Sequence, residues 1–453
     1  MHRFAYVFVL FGLVLSSCGA TNVRITDQQA GEAPGEDTTA SQKSKSHALT
    51  KPDYSIYHTM EDALGSVAEI VESSGSMALE RLEEQAEDDE GYKAGMDVVT
   101  YDAGGRDHEN MGKVVLDFGQ HGRELVTTEV ALGLLRCLSD EAELQRLVDQ
   151  YLRLDVTEVR RILESTVIKI IPMENENGRA KVEKGELCER KNGRGVDPNR
   201  NWSVDWGVKE PDYDPNEEYP GKNPFSEPEV KILKKLVEGF KPDAFINVHS
   251  GMEALFVPFD HRNTIADGID VNATLKILKE IDSTFCEGRC SVGSGGGTVG
   301  YLAHGTLTDY LHDVGIPIAS TWEIYGDEKA SFEDCFKMFN PLDHDSLKEY
   351  VDRWVSILLF FITELTHHPA TEAKYSTRKV DIPAREKDDV VFSNSPVIME
   401  GDQRPSFAYY QPLAICIAMF LLYKAKSSVM DKVKSEEILP RFTKKKKHYV
   451  SIS

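Results

Sequence analysis

Four short runs of β-branched and large apolar residues mark the middle of the chain. They are KVVLDF (Lys113–Phe118), STVIKIIPM (Ser165–Met173), DAFINVHS (Asp243–Ser250) and IPIASTWEI (Ile316–Ile324). Each is apolar at successive positions rather than at alternate ones, the pattern of a strand covered on both faces. Between them lie segments with helical apolar spacing, among them LVTTEVALGLLRCL after the first run, then Ser226–Gly239 and Val271–Phe285. This alternation predicts an α/β fold: a single large domain with a mixed, mainly parallel central sheet flanked by helices. Asp53–Glu72 predicts an opening helix, and Met77–Glu90, dense in glutamate, a polar helix or acidic spacer. No internal repeat is evident.

The ends have different patterns. Met1–Ala20 has a basic start, an apolar stretch from Phe4 to Leu15 and small residues after it, which predicts a signal peptide over 1–20. Leu15-Ser16-Ser17-Cys18 also resembles a lipoprotein cleavage box, with Cys18 as the lipidated residue. Residues 21–52 read as a disordered leader, 53–368 as the main folded domain, and 369–406 as a polar stalk. A second apolar run at 407–423 predicts a transmembrane helix, and 424–453 a basic tail; a buried C-terminal helix is the other reading of that run. An acidic bulk, an apolar span and a basic tail fit a single-pass protein of the secretory pathway with its domain on the extracellular or lumenal side.

Composition narrows the function. The 453 residues are 41% hydrophobic and 28% charged, a globular balance, and a formal charge of −23 argues against a nucleic-acid partner. Of seven cysteines, Cys286 and Cys290 are spaced for a small disulfide loop, whereas Cys137, Cys188 and Cys335 suggest no pairing. Asn201-Trp-Ser and Asn272-Ala-Thr are glycosylation sequons, the first expected to be too buried for a glycan.

Candidate chemistry begins at the end of the first strand. His121 and Glu124 follow it three residues apart, where an imidazole and a carboxylate can converge on one ion; a hydrolytic zinc takes three protein ligands. His249 ends the third strand, ELCERKNGRGVDPNRNW carries Arg190, Asn199 and Arg200, Tyr301 sits in a glycine-rich and so mobile loop, and Glu323 lies in an apolar strand. Singly, each has a plain reading as core histidine, capped strand end or solvated surface.

In this order the segments resemble the zinc carboxypeptidases of the carboxypeptidase A/B type, over roughly residues 54–365. NRNWSVDWG, NVHSGMEALF and GSGGGTVGYLAHGT give the look of plant and algal-type secreted members. The resemblance implies one Zn²⁺ held by His121, Glu124 and His249, with Glu323 as general base and Arg190 stabilising the oxyanion. Asn199 and Arg200 would grip a substrate's terminal carboxylate, Tyr301 would close on it, and Arg123 would add an outer subsite. The partners implied are peptide or protein C-termini. Residues 21–53 are too short and polar for the folded inhibitory domain of pancreatic-type members, so the expected enzyme is active once folded.

Two departures from the family pattern stand out. A turn usually written N-P-D-G is Asn175-Glu-Asn-Gly178 here. The specificity-pocket floor is Thr308, which selects neither apolar nor basic ends, while Asp260 stands where one basic-specific branch has its acid. This suggests a leaning to C-terminal Lys or Arg. A catalytically silent peptide-binding relative and a zinc amidohydrolase of small acyl-amino acids are the alternatives. Glu323 speaks against the first and the Asn199–Arg200–Tyr301 set against the second. A tubulin-type deglutamylase is disfavoured by the export signal.

Overall fold

The structure, a computed structural model, describes residues 49–376 apart from 106–107, 153 and 332. The predicted signal peptide, the leader up to residue 48, the stalk beyond 376, the 407–423 run and the basic tail lie outside the described residues. Among the described residues no helix is long and apolar enough to cross a membrane.

Among the described residues, eight strands form one sheet: β1 (Met77–Ala86), β2 (Asp89–Tyr101), β3 (Gly112–Phe118), β4 (Thr166–Ile171), β5 (Ala244–His249), β6 (Met252–Val257), β7 (Ser291–Ser294) and β8 (Ile318–Tyr325). Their spatial order is β1-β2-β4-β3-β5-β8-β6-β7. The central strands β4, β3, β5 and β8 run parallel, while β1–β2, β2–β4 and β6–β8 pair antiparallel. The four apolar runs are these parallel strands, and helices cover both their faces, which is why the runs do not alternate.

Side chains still alternate between faces along each strand. Val114, Leu116, Ile168, Ile246, Val248 and Trp322 point to one side and pack beneath Leu125–Ser139 and His344–Glu364. Val115, Ile171, Phe245 and Ala319 point to the other, beneath Pro228–Phe240 and Leu307–Asp313. Helix Leu125–Ser139 is buried along most of its length, and a Cβ at Gly133 would come within 2.5 Å of Val351. Glycine there allows a close approach to the long helix His344–Glu364.

One element differs from expectation. Met77–Ala86 is a strand, paired in register with β2 from Met77↔Tyr101 to Gln85↔Lys93. Its helix-favouring composition is overridden by the long β2, which offers a complete ladder of backbone partners. The charges suit an outer strand, where they discourage pairing with another chain. At the other end, the helix Glu372–Ser376 closes against the body, with Tyr375 buried and Lys374 Nζ 2.7 Å from Asp243.

Cys286 and Cys290 form a disulfide as the spacing suggests. Cys188 joins Cys335 across 147 residues, a pairing that spacing could not reveal, and Cys137 is free and buried. Asn201 is fully buried, as expected for its sequon, while Asn272 is exposed.

Candidate active site

The site lies at the carboxyl ends of β3, β5 and β8, where open α/β sheets collect their ligands. Gly119 ends β3 in a left-handed conformation (φ 69°) and lets the chain turn so that His121 and Glu124 face the end of β5. His121 Nδ1 lies 2.7 Å from one Glu124 oxygen, and His249 Nδ1 lies 3.0 Å from the other. The two Nδ1 atoms are 3.1 Å apart, and all three side chains are buried.

Two imidazole nitrogens and a carboxylate within 4.8 Å of one another form a donor set suited to zinc. The far nitrogen of His121, Nε2, is 3.2 Å from Asp197 Oδ1, an arrangement that fixes the tautomer with Nδ1 free to ligate. Burial and the nearby Arg190 hold His121 below the usual histidine range, which keeps the ring neutral. Burial acts to raise the Glu124 carboxyl, but the imidazoles of His121 and His249 outweigh it, and the group stays below the usual range. The residues therefore fit the ion. A second cluster, Asp282 with Cys286 and Cys290, has both sulfurs committed to the disulfide.

Glu323 reaches this site through sheet register. β5 and β8 are parallel neighbours with His249 opposite Glu323, so both side chains leave the sheet on the same face. Oε2 of Glu323 is buried without a hydrogen-bond partner. Burial pushes its carboxyl up to about 7; the charges of His249, Arg190 and Arg123 oppose that rise and Glu124 adds to it. A buried carboxyl poised near neutrality beside a metal donor set can accept and return a proton.

The cationic wall is built around Asp197. Its Oδ2 accepts from Arg190 Nε at 2.8 Å, and its Oδ1 accepts from the Asn199 backbone N–H at 2.9 Å. Burial would raise this carboxyl, but Arg190 and then His121 hold it well below the usual range. Arg190 Nη1 lies 3.3 Å from His121 Nδ1, at the donor set itself. Cys188, two residues before Arg190, is tied to Cys335, so a covalent bond anchors this loop.

Arg200 and Arg123 are both engaged by the short helix Pro215–Glu218. Arg200 Nη2 is 2.7 Å from Glu218, and Arg123 Nη1 is 2.8 Å from Glu217. Arg123 also donates to the Cys188 carbonyl and stacks over Phe339 with its guanidinium carbon 4.3 Å from the ring centre. Asn199 Oδ1 accepts from the Leu307 N–H at 2.9 Å. Tyr301 is 42% exposed at the cleft mouth, where it lines a depression with Arg200, Leu302 and His304.

The glycine-rich run before Tyr301 serves close packing. Residues Gly295–Val299 form one helical turn, and a Cβ at Gly295 would fall 1.9 Å from Asp260 Oδ1. At Gly296 a Cβ would meet the Asp260 carbonyl oxygen at 2.5 Å, so the 258–263 segment lies directly on the glycines. Asp260 is buried; burial and the neighbouring Asp309 push its carboxyl up to about 7. Thr308 is buried and hydrogen-bonds Thr321 through the two hydroxyls.

Sequence reasoning missed Asp197, Glu217, Glu218 and the Cys188–Cys335 bond. Asp197 was within sight, in the VDPNRN string between Arg190 and Arg200, but its bridging role is visible only once three segments meet.

Comparisons with known proteins agree with this geometry. The zinc carboxypeptidase family model matches residues 87–356. Carboxypeptidase A2 of Rattus norvegicus is 25% identical over 290 residues, 60% of this chain and 63% of that protein. Carboxypeptidase A1 of Rattus norvegicus is 32% identical over 143 residues, 31% of this chain and 33% of its own. The chain thus spans about 63% of the length of that carboxypeptidase A2. The fold is shared with carboxypeptidase A from Helicoverpa armigera, at a TM-score of 0.55 and 16% identity over 72% of this chain and 76% of that one. It is also shared with bovine thrombin-activatable fibrinolysis inhibitor, at 0.53 and 19% over 69% and 98%. On the family match, which covers more than half its length, this chain belongs to the zinc carboxypeptidase family.

Proposed function

We propose that the chain is a metallocarboxypeptidase that hydrolyses the last peptide bond of peptides or proteins. The observation that carries this reading is the β5–β8 register, which sets Glu323 and its unpartnered Oε2 beside the His121–Glu124–His249 donors. His121, Glu124 and His249 would hold a zinc ion, which would supply Lewis acidity for the scissile carbonyl and the attacking water. Glu323 takes the proton from that water and later gives it to the leaving amine, a role suited to a carboxyl that titrates near 7. Arg190 faces the reacting carbonyl and stabilises its developing negative charge. Asn199 and Arg200 bind the terminal carboxylate, Tyr301 covers it from the mouth, and Arg123 borders an outer subsite.

Asp260, with Thr308 on the pocket floor, favours a C-terminal Lys or Arg. A buried carboxyl held near 7 by burial and Asp309 becomes fully ionised when a cationic side chain arrives, so binding and ionisation reinforce one another. Export by the 1–20 segment and anchoring through 407–423 complete the proposal; resistance to alkaline carbonate extraction tests the anchor.

The test is zinc analysis together with release of C-terminal residues from a peptide library, using Glu323→Gln as control. Zinc at the His121 site and a loss of about 10²–10⁴-fold in kcat for the variant are expected. Undiminished turnover by Glu323→Gln removes the assigned base, and a wild-type chain that binds peptides without cleaving them supports a silent relative.

A further inference from the structure

Three successive residues at the start of the helix Leu307–Asp313 each hold a different part of the proposed substrate site. The Leu307 N–H donates to Asn199 Oδ1 at 2.9 Å, and the Thr308 hydroxyl bonds that of Thr321. Asp309, which is buried, holds the segment that carries Asp260. The Asp260 N–H donates to Asp309 Oδ1 at 2.9 Å and to Oδ2 at 3.1 Å, and the His261 N–H reaches Oδ2 at 3.0 Å. The His261 ring bonds the same oxygen through Nδ1. From the other side, the Asp260 carbonyl accepts from the Ala303 N–H at 3.0 Å, and the Phe259 carbonyl from the Gly296 N–H at 3.1 Å. The placement of the Asp260 side chain is thus set by Asp309 on one side and by the glycine turn on the other.

We propose that Asp309 is a positioning residue for the choice of C-terminal side chain: it aims Asp260 and joins it, through residues 307–309, to the Asn199 grip on the terminal carboxylate. The inference rests on the reading of Asp260 as the acid that favours Lys or Arg. A carboxylate that accepts from two consecutive backbone N–H groups and a ring N–H fixes the course of that backbone, because charged acceptors make the stronger hydrogen bonds. The acid that reads the side chain and the amide that reads the carboxylate share one stretch of helix and keep a constant separation. A C-terminal residue bearing both charges is then met as a single rigid pattern. Charge acts in the same direction. Burial and then Asp309 raise the Asp260 carboxyl to about 7, while a Thr306 hydrogen bond, Arg200 and His249 draw it down. The Asp309 hydrogen bond also holds the His261 ring above the usual histidine range, with Asp205 adding to the rise and burial and Arg262 opposing it. Asp309 therefore keeps Asp260 neutral until a cation enters or the pH rises, so preference for Arg over Phe should grow as pH passes about 7.

The test is kcat/KM of the full chain on a peptide ending in Arg and on its counterpart ending in Phe, taken as a ratio from about pH 5.5 to 9. The ratio cancels the titration of Glu323, on which both substrates depend. In wild type it should rise with a midpoint near 7. Removing a like charge lowers a carboxyl, so Asp309→Asn should move that midpoint to the acid side by about one pH unit. His261→Gln, whose amide can still donate to Asp309, removes the ring's opposing charge and should move the midpoint to the alkaline side. A folded Asp309→Asn that loses activity on both substrates alike with the midpoint in place shows a purely structural residue and overturns the proposal. Where Asp309→Asn does not fold, judged by its thermal melt, His261→Gln decides: an alkaline move supports the proposal, and an unmoved or acid midpoint overturns it. An Arg preference that Asp260→Asn abolishes but the other two variants leave unmoved overturns the role of Asp309 and keeps the reading of Asp260. A wild type without an Arg preference at any of these pH values removes the reading of Asp260 and this inference with it.

Discussion

Glu218 occupies Arg200, with the carboxylate oxygen 2.7 Å from Nη2 and both side chains largely shielded from solvent. On the proposed role of Arg200, a substrate's terminal carboxylate would compete with this internal one. Glu218→Gln should therefore lower KM by about three- to tenfold, as expected of a pair worth about 1 kcal/mol, with kcat little changed. Steady-state kinetics on a short peptide decide it; an unchanged or raised KM means that Glu218 helps to orient Arg200.

Asp260 is expected to set preference at the C-terminal residue. Asp260→Asn should cut kcat/KM for a C-terminal Arg substrate by about 30-fold, the scale of a buried charge pair worth about 2 kcal/mol. A C-terminal Phe substrate should be affected far less. Equal losses on the two substrates, or a wild-type preference for Phe, sink this assignment.

The strand plan and the meeting of the candidate site residues were legible because they rest on local signals: continuous apolar runs for covered strands, and polar residues placed at their carboxyl ends. His121, Glu124 and His249 do meet, and Glu323 stands beside them. β1 was missed because its local composition favours a helix while its partner strand dictates otherwise. Glu217 and Glu218 looked like solvated acidic residues, since nothing nearby in sequence says that a one-turn helix sets them against Arg123 and Arg200. The pairs His261–Asp309 and His304–Glu210 join residues 48 and 94 positions apart, beyond the reach of any spacing rule.

Zinc removal should expose a pH dependence of stability. Asp117, Asp260 and Glu323 are each raised to about 7, burial being the leading cause in every case. An acid whose folded pKa exceeds its unfolded one stabilises fully below the unfolded value, near 4, and that contribution is lost as pH rises through about 7. The metal-free chain should thus lose Tm between about pH 4 and 7, with a slope of about 1.4 kcal/mol per pH unit for each proton released on unfolding but retained in the fold. Asp260→Asn should flatten that slope. Thermal melts of chelator-treated protein across this range provide the check; a Tm rising with pH would falsify the account.

The Cys188–Cys335 bond closes a 147-residue loop, and the segment it anchors carries Arg190 and contacts Arg123. Breaking it by Cys188→Ser with Cys335→Ser should cost about 2–5 kcal/mol of stability. It should also depress kcat more than KM if Arg190 has the proposed role at the reacting carbonyl, because its segment loses its tether. Denaturant melts paired with kinetics on the folded fraction separate the two effects, and unchanged kcat in that fraction would make the bond purely structural.

The pairing of β5 with β8 makes the chemistry intolerant of small length changes inside those two strands. Deleting or adding one residue between 244 and 249, or between 318 and 323, would swing His249 or Glu323 to the opposite side of the sheet. At these two stretches evolution can substitute but hardly insert, and chain-length drift in descendants should collect in the connecting loops.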